Sequence, residues 1–187
     1  MIYIGDISKQ DFLVLKGLAE SSLNILEFGV GASTQVISNY CTGKFVSVDT
    51  EEYWINKTKL NLDHLKIKKV AEFKRYDKFT PEGEYDFIFN DGVDHLRSDF
   101  AINMWSFLKV GGYLAYHDTR RHQDMNNVLN LISRYFNEIE SVELNKNHSN
   151  ITVVKKKTYE PYEDWNAIEE RNNLLPKGFP NPPYSTF

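Results

Sequence analysis

The sequence predicts an α/β fold: a Rossmann-like, doubly wound and mostly parallel sheet of seven strands, with helices on both faces and a terminal antiparallel hairpin. Short apolar runs alternate with segments of helical periodicity, an order that produces a parallel sheet covered on both faces by helices. Several runs end in glycine or in an acidic residue, as strands do where they open onto a ligand site. The last two runs flank the turn signal Asn145-Lys146-Asn147, which predicts the hairpin.

The composition is that of a single globular domain. The chain has 187 residues, of which 41% are hydrophobic, and a formal net charge of −4. We expect one domain over residues 1–157, followed by a tail rich in proline and aromatic residues over 158–187. The acidic balance offers no positive surface for nucleic acid or for an anionic membrane, so neither is expected as a partner. Cys41 is the only cysteine, which excludes an intrachain disulfide.

The sequence predicts neither a signal peptide nor a membrane span. No stretch approaches the roughly 18 apolar residues of a membrane span, and Met1–Lys16 lacks the pattern of a signal peptide. We therefore expect a cytoplasmic protein. A short helix is predicted in the tail over Glu163–Leu174, and the tail is expected either to cover the site or to dock on a second copy of the chain in a homo-oligomer.

Hydrophobic periodicity assigns most of the chain to strands and helices. The predicted strands are Asn24–Phe28, Phe45–Asp49, Val70–Phe73, Tyr85–Asp91, Tyr113–Tyr116, Ile139–Leu144 and Ile151–Val154. The predicted helices are Ile7–Ser21, Ser33–Tyr40, Glu51–Leu62, Leu96–Leu108 and Asp124–Phe136. Ser8 and Asp11 are placed to form a capping pair at the first helix, and Gly111-Gly112 is expected to end the fourth.

The stretch Gly29-Val30-Gly31-Ala32-Ser33-Thr34 organises the predicted site. It joins the first buried strand to the helix that begins near Ser33, and glycines without a Cβ let a ligand approach the backbone. Free N–H groups and the positive end of the helix dipole point into the same gap. The strand, the turn and the helix therefore predict a nucleotide-type pocket.

Polar groups at four predicted strand ends support this pocket: Glu27, Asp49, Asp91 and the pair His117-Asp118. Asp49 follows Gly29 by about 20 residues, the distance at which a carboxylate accepts the ribose hydroxyls of a bound nucleoside. Thr34 stands where a dinucleotide site has its third glycine, which packs near the pyrophosphate. With an acid at Glu27, this favours a cofactor that carries an amino group and no phosphate.

These motifs resemble those of class I S-adenosylmethionine-dependent methyltransferases. Ile25–Thr34 is similar to their motif I, Val48-Asp49 to the acidic end of their second strand, and Tyr85–His95 to their fourth strand. Together with the segment through Asp118, the chain resembles small bacterial O-methyltransferase-like proteins related to the caffeoyl-CoA and catechol O-methyltransferases. The resemblance covers roughly Asn24–Asp118, and the hairpin fits the reversed seventh strand of the family.

The resemblance implies that the cofactor is S-adenosylmethionine. Gly29 and Gly31 would line its methionine part, Glu27 would lie near its ammonium group, Asp49 would hold the ribose, and Asp77 is a candidate for the adenine amino group. The expected cofactor-binding set is completed by Ser33, Thr34 and Asp91. Trp54 is expected to pack its helix against the sheet, with stacking on adenine as the other interpretation.

The resemblance also implies O-methylation of a small hydroxyl-bearing molecule. Methyl transfer to a hydroxyl needs alignment and a group that removes the proton, and His95, His117 and Asp118 are the candidates for the catalytic base. In the related enzymes an acid and an Asp-Asn pair hold a divalent ion such as magnesium. Asp91 and Asp118 are therefore the candidate metal ligands, although His117-Asp118 departs from the Asp-Asn pattern.

Two other functions remain open from the residues alone. An NAD(P)-dependent Rossmann oxidoreductase would use the same strand and turn, but the missing third glycine and the terminal hairpin speak against it. A non-catalytic cofactor-binding module is the other alternative, because the connections between the predicted elements are short and leave few segments to recognise a substrate.

Overall fold

The computed structural model describes residues 3–68 and 71–157. These residues form one seven-stranded sheet in the order β3-β2-β1-β4-β5-β7-β6. The strands are β1 Asn24–Phe28, β2 Lys44–Asp49, β3 Glu72–Arg75, β4 Tyr85–Asn90, β5 Leu108–Tyr116, β6 Ile139–Glu143 and β7 Thr152–Lys156. The predicted Rossmann-like fold is confirmed. The predicted tail, including the helix over Glu163–Leu174, lies outside the described residues.

The sheet is parallel from β3 to β5, and β7 pairs antiparallel with both β5 and β6. The strand order reverses direction between β1 and β4, the place where ligands bind in sheets of this kind. Because β7 runs antiparallel, its first residue Thr152 lies opposite Tyr116, the last residue of β5. The connection between β6 and β7 therefore lies at the same edge of the sheet as the β1–β4 crevice.

Helices cover both faces: α1 Lys9–Glu20, α2 Ala32–Tyr40, α3 Glu52–His64, α4 Arg97–Met104 and α5 His122–Tyr135. Successive side chains of β1 alternate between two hydrophobic clusters, as a strand buried on both faces requires. Ile25 packs in the cluster that contains α1 and α2, whereas Leu26 packs in the one that contains α4 and α5. Among the residues described, none of the helices has the length and apolar character needed to cross a membrane.

The predicted capping pair at the first helix is confirmed. The Ser8 hydroxyl accepts a hydrogen bond from the Asp11 backbone N–H at 3.1 Å, and the Asp11 carboxylate accepts one from the Ser8 backbone N–H at 3.0 Å. This reciprocal pair satisfies two N–H groups that a helix start otherwise leaves without partners. It also fixes Asp11, which is buried, in one orientation.

The predicted role of Gly111-Gly112 is wrong. The fourth helix ends at Met104 and passes through a 3-10 turn at Trp105–Phe107, so both glycines lie inside β5. There Gly111 has a φ of +76°, and the register against β4 shifts between Tyr85 and Phe87. Glycine is found at irregular positions in strands as well as at helix ends. The sequence alone therefore did not distinguish the two, which explains the error.

The predicted third strand is displaced by two residues. The prediction was Val70–Phe73, whereas β3 spans Glu72–Arg75 and includes the charged Lys74. This strand is at the edge of the sheet and pairs only with β2, so it does not need the apolar run by which a buried strand is found.

Candidate functional site

A cavity of about 330 Å³ opens at the carboxyl ends of β1, β2 and β4. Predicted site residues among its lining are Gly29, Gly31, Ser33, Asp49, Asp91 and His117. Its volume is within the range of small-molecule sites, and its position at the reversal of strand order is where the sequence predicts the pocket. We call this the β1–β4 cavity.

The two glycines of the turn have different tasks. Gly29 has a φ of +101°, and a Cβ on it would collide with the backbone of Asp91, so both the conformation and the space require glycine. Gly31 is extended, and a Cβ there would meet no atom within 4 Å. Because Gly31 lines the cavity, that open space is available to a ligand.

Asp49 is held by the two loops that flank it. Its Oδ2 accepts a hydrogen bond from the Val30 backbone N–H at 2.8 Å, and its Oδ1 accepts one from the Glu51 backbone N–H at 2.8 Å. A carboxylate has about four acceptor positions, so each oxygen keeps capacity for a further donor from a ligand. Asp49 is thus oriented in advance towards the cavity that it lines.

Glu27 lies in a different environment from the one predicted. It is fully buried, is not among the residues that line the β1–β4 cavity, and accepts hydrogen bonds from the hydroxyls of Ser33, Thr34 and Ser47. Burial raises the pKa of Glu27 to about 7, against the lowering effect of these hydroxyls. Ser33 does line the cavity, so the influence of Glu27 on a ligand passes through this hydroxyl.

His117 lies at the wall of the cavity among three carboxylates. Its Nδ1 is 3.2 Å from Asp91 Oδ2 and 3.5 Å from Asp118 Oδ1, and its Nε2 is 3.7 Å from Asp11 Oδ2. Burial by itself lowers the pKa of His117, but the hydrogen bonds and charges of the surrounding acids outweigh it and raise the pKa to about 10. The carboxylates around His117 therefore favour a charged imidazolium at neutral pH.

Asp11 belongs to this site although the sequence suggested only a helix cap. Its Oδ1 accepts a hydrogen bond from the Asn150 backbone N–H at 2.7 Å, in addition to its contacts with Ser8 and His117. Burial alone would raise the pKa of Asp11, yet these hydrogen bonds hold it well below its usual range. Asp11 is thus a fixed negative charge beside the imidazolium.

Arg97 is a second residue that the sequence did not reveal. Its side chain is 6% exposed, and its guanidinium lies 2.9 Å from Asp91 Oδ1 and 2.7 Å from Asp124 Oδ1. The Arg97 Nε also donates to the Gly92 carbonyl at 2.6 Å. A buried arginine with this many acceptors ties the end of β4 to the start of α5, which positions Asp91.

Other predicted residues lie away from the cavity. His95 and Asp77 are exposed, and neither is among the residues that line it. The Thr34 hydroxyl contacts Glu27 and accepts the Gly31 N–H at 2.9 Å, so Thr34 shapes the turn without lining the cavity. These predicted roles gain no support from the geometry.

The expectation for Trp54 is reversed. Its side chain is 41% exposed and lines the β1–β4 cavity, which is the position of a ligand-facing residue and not of one buried between helix and sheet. Trp54 lies in the first turn of α3, which follows Asp49, and Lys57 Nζ lies 4.7 Å from the centre of its ring. An exposed indole at a cavity mouth is suited to stack on a flat, aromatic part of a ligand.

The residues do not fit a magnesium site. Ligand atoms of Asp91, His117 and Asp118 lie within 4.8 Å of one another. However, the two oxygens of Asp91 already face cations, Oδ1 at Arg97 and Oδ2 at His117. A magnesium ion would have to displace the positive charges of Arg97 and His117 from Asp91. It would also have to accept a nitrogen ligand from His117, although magnesium prefers oxygen ligands.

The residues do fit S-adenosylmethionine. The open space over Gly31 accommodates a ligand that passes close to the backbone, Asp49 retains acceptor capacity for ribose hydroxyls, and Trp54 offers a flat apolar face. Thr34 stands where the turn of a dinucleotide site has its third glycine, and within the described part of the chain no lysine or arginine lines the cavity to bind a pyrophosphate.

The fold is similar to that of several O-methyltransferases of known structure, some of them solved with S-adenosylmethionine (SAM) or its product. An O-methyltransferase from Bacillus cereus, solved in complex with S-adenosylhomocysteine (SAH), is 14% identical with a TM-score of 0.64, over 82% of this chain and 84% of that chain. An O-methyltransferase from Streptomyces achromogenes involved in tomaymycin synthesis, solved in complex with SAM, is 12% identical with a TM-score of 0.64, over 81% and 82%.

A third similar structure is a SAM-dependent O-methyltransferase from Thermotoga maritima, 16% identical with a TM-score of 0.64, over 83% of this chain and 68% of that chain. At these identities the likeness shows the fold. No protein-family model matches the sequence, and a search of curated proteins found no relative.

Proposed function

We propose that this protein is a SAM-dependent methyltransferase that methylates a hydroxyl group of a small molecule. The observation that carries the proposal is the β1–β4 cavity, in which the open Gly31, the oriented Asp49 and the wall residue His117 face one space. The O-methyltransferases that share the fold, two of them solved with SAM or SAH, support the cofactor and the reaction class.

Different residues of the β1–β4 cavity would contact different parts of the cofactor. The methionine part would pass Gly31 and Ser33, the ribose hydroxyls would donate to Asp49, and the adenine would stack on Trp54. When bound, SAM would supply an electrophilic methyl group on a positively charged sulfur, with the carbon–sulfur bond breaking as the acceptor oxygen bonds to the methyl carbon and a neutral thioether leaving.

His117 is the group that receives the proton of the acceptor hydroxyl. Its raised pKa means that His117 can act only after its own proton has left to solvent. A cationic ligand in the β1–β4 cavity, which His117 lines, would lower the pKa of the imidazolium and favour that loss. Asp91 would keep the proton on Nδ1, so Nε2 would lose its proton to solvent and then accept the hydroxyl proton, and Asp118 is fixed beside the ring by the Asn150 amide at 2.9 Å.

The test of the cofactor is a calorimetric titration with SAM and SAH. The Gly31→Val variant should abolish binding, because its side chain fills the space over the turn without backbone strain. Gly17→Ala is the matched control, since Gly17 lies in α1, lines no part of the cavity and has open space around it. Normal SAH binding by the valine variant would contradict the cofactor assignment.

The oxidoreductase and the non-catalytic module predict different results in the same binding and transfer experiments. Tight binding of NADH, with none of SAM or SAH, would favour the oxidoreductase. Binding of SAM without transfer to any hydroxylated acceptor would favour a cofactor-binding module. Transfer that the Gly31→Val change abolishes would eliminate both.

A further inference from the structure

A second cavity of about 300 Å³ adjoins the first. It lies between the start of α1, the end of β5 and the connection from β6 to β7, and it shares Asp6 and His117 with the β1–β4 cavity. We propose that this cavity binds the methyl acceptor and that the acceptor is a polyhydroxylated, non-aromatic molecule of the sugar or polyol class. This inference rests on the proposed methyltransferase function.

The first argument is position. His117 stands between the two cavities, with Nδ1 towards Asp91 of the first and Nε2 towards Asp11 of the second. An in-line transfer needs the acceptor oxygen on the far side of the methyl group from the sulfur, within reach of the base. A molecule in the second cavity would lie within reach of His117, which lines both cavities.

The second argument is the chemistry of the wall. Every residue that lines the second cavity has a polar or charged side chain, and no aliphatic residue, phenylalanine, tyrosine or tryptophan is among them. Pockets for aromatic ligands are lined mostly by apolar side chains, with only a few polar groups to fix orientation. A catechol or caffeoyl ring would leave the polar side chains of this wall without hydrogen-bond partners. A molecule with a hydroxyl on each carbon would supply those partners.

The third argument is that several of these polar groups are free to bind. Within the residues that the structure describes, the side chains of Asp6, Gln10 and His148 make no hydrogen bond or ion pair. Arg120 uses one N–H of its guanidinium, which donates to the His148 carbonyl at 2.8 Å, and keeps the others. Carboxylate, amide, imidazole and guanidinium groups together supply both donors and acceptors, as alternating hydroxyls require.

The fourth argument is that the wall is rigid. Asp118 and His148 are non-glycine residues in the left-handed region, with φ of 58° and 61°. Such conformations cost free energy and persist where the surroundings enforce them. At Asp118 the stabilising group is Asn150, whose amide donates to Asp118 Oδ1 at 2.9 Å and whose side-chain oxygen accepts the Arg120 backbone N–H at 3.2 Å.

The experiment measures binding of small probes to the protein saturated with SAH. Saturation-transfer NMR would compare a panel of hexoses, pentoses and myo-inositol with catechol and caffeic acid. We expect members of the polyol panel to bind and the aromatic probes not to bind. The same panel is then offered with SAM, and SAH formation identifies which bound probe is methylated.

Two pairs of variants locate the binding site. Gln10→Leu and His148→Leu should weaken polyol binding about 3- to 10-fold, the loss of one hydrogen bond. Gln123→Leu and His122→Leu are matched controls, since both residues are exposed and line neither cavity. SAH affinity should be unchanged in all four proteins, which separates an effect on the acceptor from an effect on the cofactor.

The outcomes distinguish this inference from the proposed function. If the wild-type protein does not bind SAH, the methyltransferase proposal fails and the acceptor assignment fails with it. If SAH binds but no polyol does, or if catechol binds in preference, the polyol inference alone is overturned. Equal polyol binding by the site variants and their controls would place the acceptor outside the second cavity.

Discussion

Arg97 and Asp91 form a buried ion pair, with 2.9 Å between Nη2 and Oδ1, at the strand end where the sequence resemblance predicts a ligand to a divalent metal. The guanidinium also contacts Asp124, and its side chain is almost without solvent access. The negative charge that would attract a metal ion is therefore already balanced by a residue of the same chain. His117 supplies a second positive charge on the other oxygen of Asp91.

The first prediction is that the wild-type protein does not bind magnesium or manganese at this site. When manganese at millimolar concentration is mixed with the protein, its electron paramagnetic resonance spectrum should remain that of the free ion. A chelator should not reduce SAH binding.

The variant Arg97→Met removes the guanidinium. It should lower the free energy of unfolding by about 3 to 5 kcal/mol, because buried acids lose their partner, and it should let manganese bind. Arg134→Met, an exposed arginine on α5, is the control. Manganese binding to the wild type would contradict this interpretation.

The second prediction concerns pH. The pKa of His117 rises from 6.5 to about 10 on folding, so the folded state binds this proton more tightly than the unfolded state. The resulting stability is fully present below pH 6.5 and is lost as the pH rises through 10. At pH 6 His117→Gln should be about 1 to 3 kcal/mol less stable than the wild type, and the difference should shrink towards pH 10. Denaturant unfolding across this range measures it; a constant difference would exclude the shifted pKa.

The third prediction concerns Glu27. Because its carboxyl group is satisfied by three hydroxyls and does not line the cavity, Glu27→Gln should change SAH affinity by less than about 3-fold. A direct contact with the cofactor ammonium group predicts a much larger loss, since hydrogen bonds to charged groups are stronger. Calorimetry decides between the two. Ser33→Ala, which removes a hydroxyl that does line the cavity, serves as the comparison.

The fourth prediction concerns Trp54. Trp54→Ala should weaken SAH binding about 10-fold, the loss expected when an aromatic platform for a base is removed. Its neighbour Tyr53 is 62% exposed and does not line the cavity, so Tyr53→Ala should leave the affinity unchanged. Quenching of indole fluorescence on titration with SAH should be lost only in the Trp54 variant. Equal affinities in the two variants would show that Trp54 does not stack on adenine.

Local sequence signals made it possible to predict the fold and the part of the site around the glycine turn. The glycine turn, its strand and Asp49 lie close in sequence or at a characteristic distance, and their conformational demands can be read from residue type alone. Gly111 shows the limit, because glycine permits both a helix end and an irregular strand. Which of the two occurs depends on the pairing of β5 with β4, and that pairing is a long-range property.

The remaining part of the site joins residues that are distant in sequence. Asp11 meets His117 across the sheet edge, and Arg97 meets Asp124 between two helices. Asp11, Arg97 and Asp124, taken alone, are typical of a helix cap or of a solvated helix surface, so no local pattern indicates their burial. Trp54 was misassigned for the same reason, since only the fold shows that its side of α3 faces the cavity.

The antiparallel course of β7 has an evolutionary consequence. It returns the chain to the strand-end edge between Glu143 and Thr152, next to Asp118 but apart from the glycine turn. Insertions or exchanges in this one connection can remodel the wall of the second cavity while the cofactor cavity keeps its residues. Selectivity for an acceptor and affinity for a cofactor can thus diverge independently, and a graft of this connection between related proteins is a compact way to exchange one specificity for another.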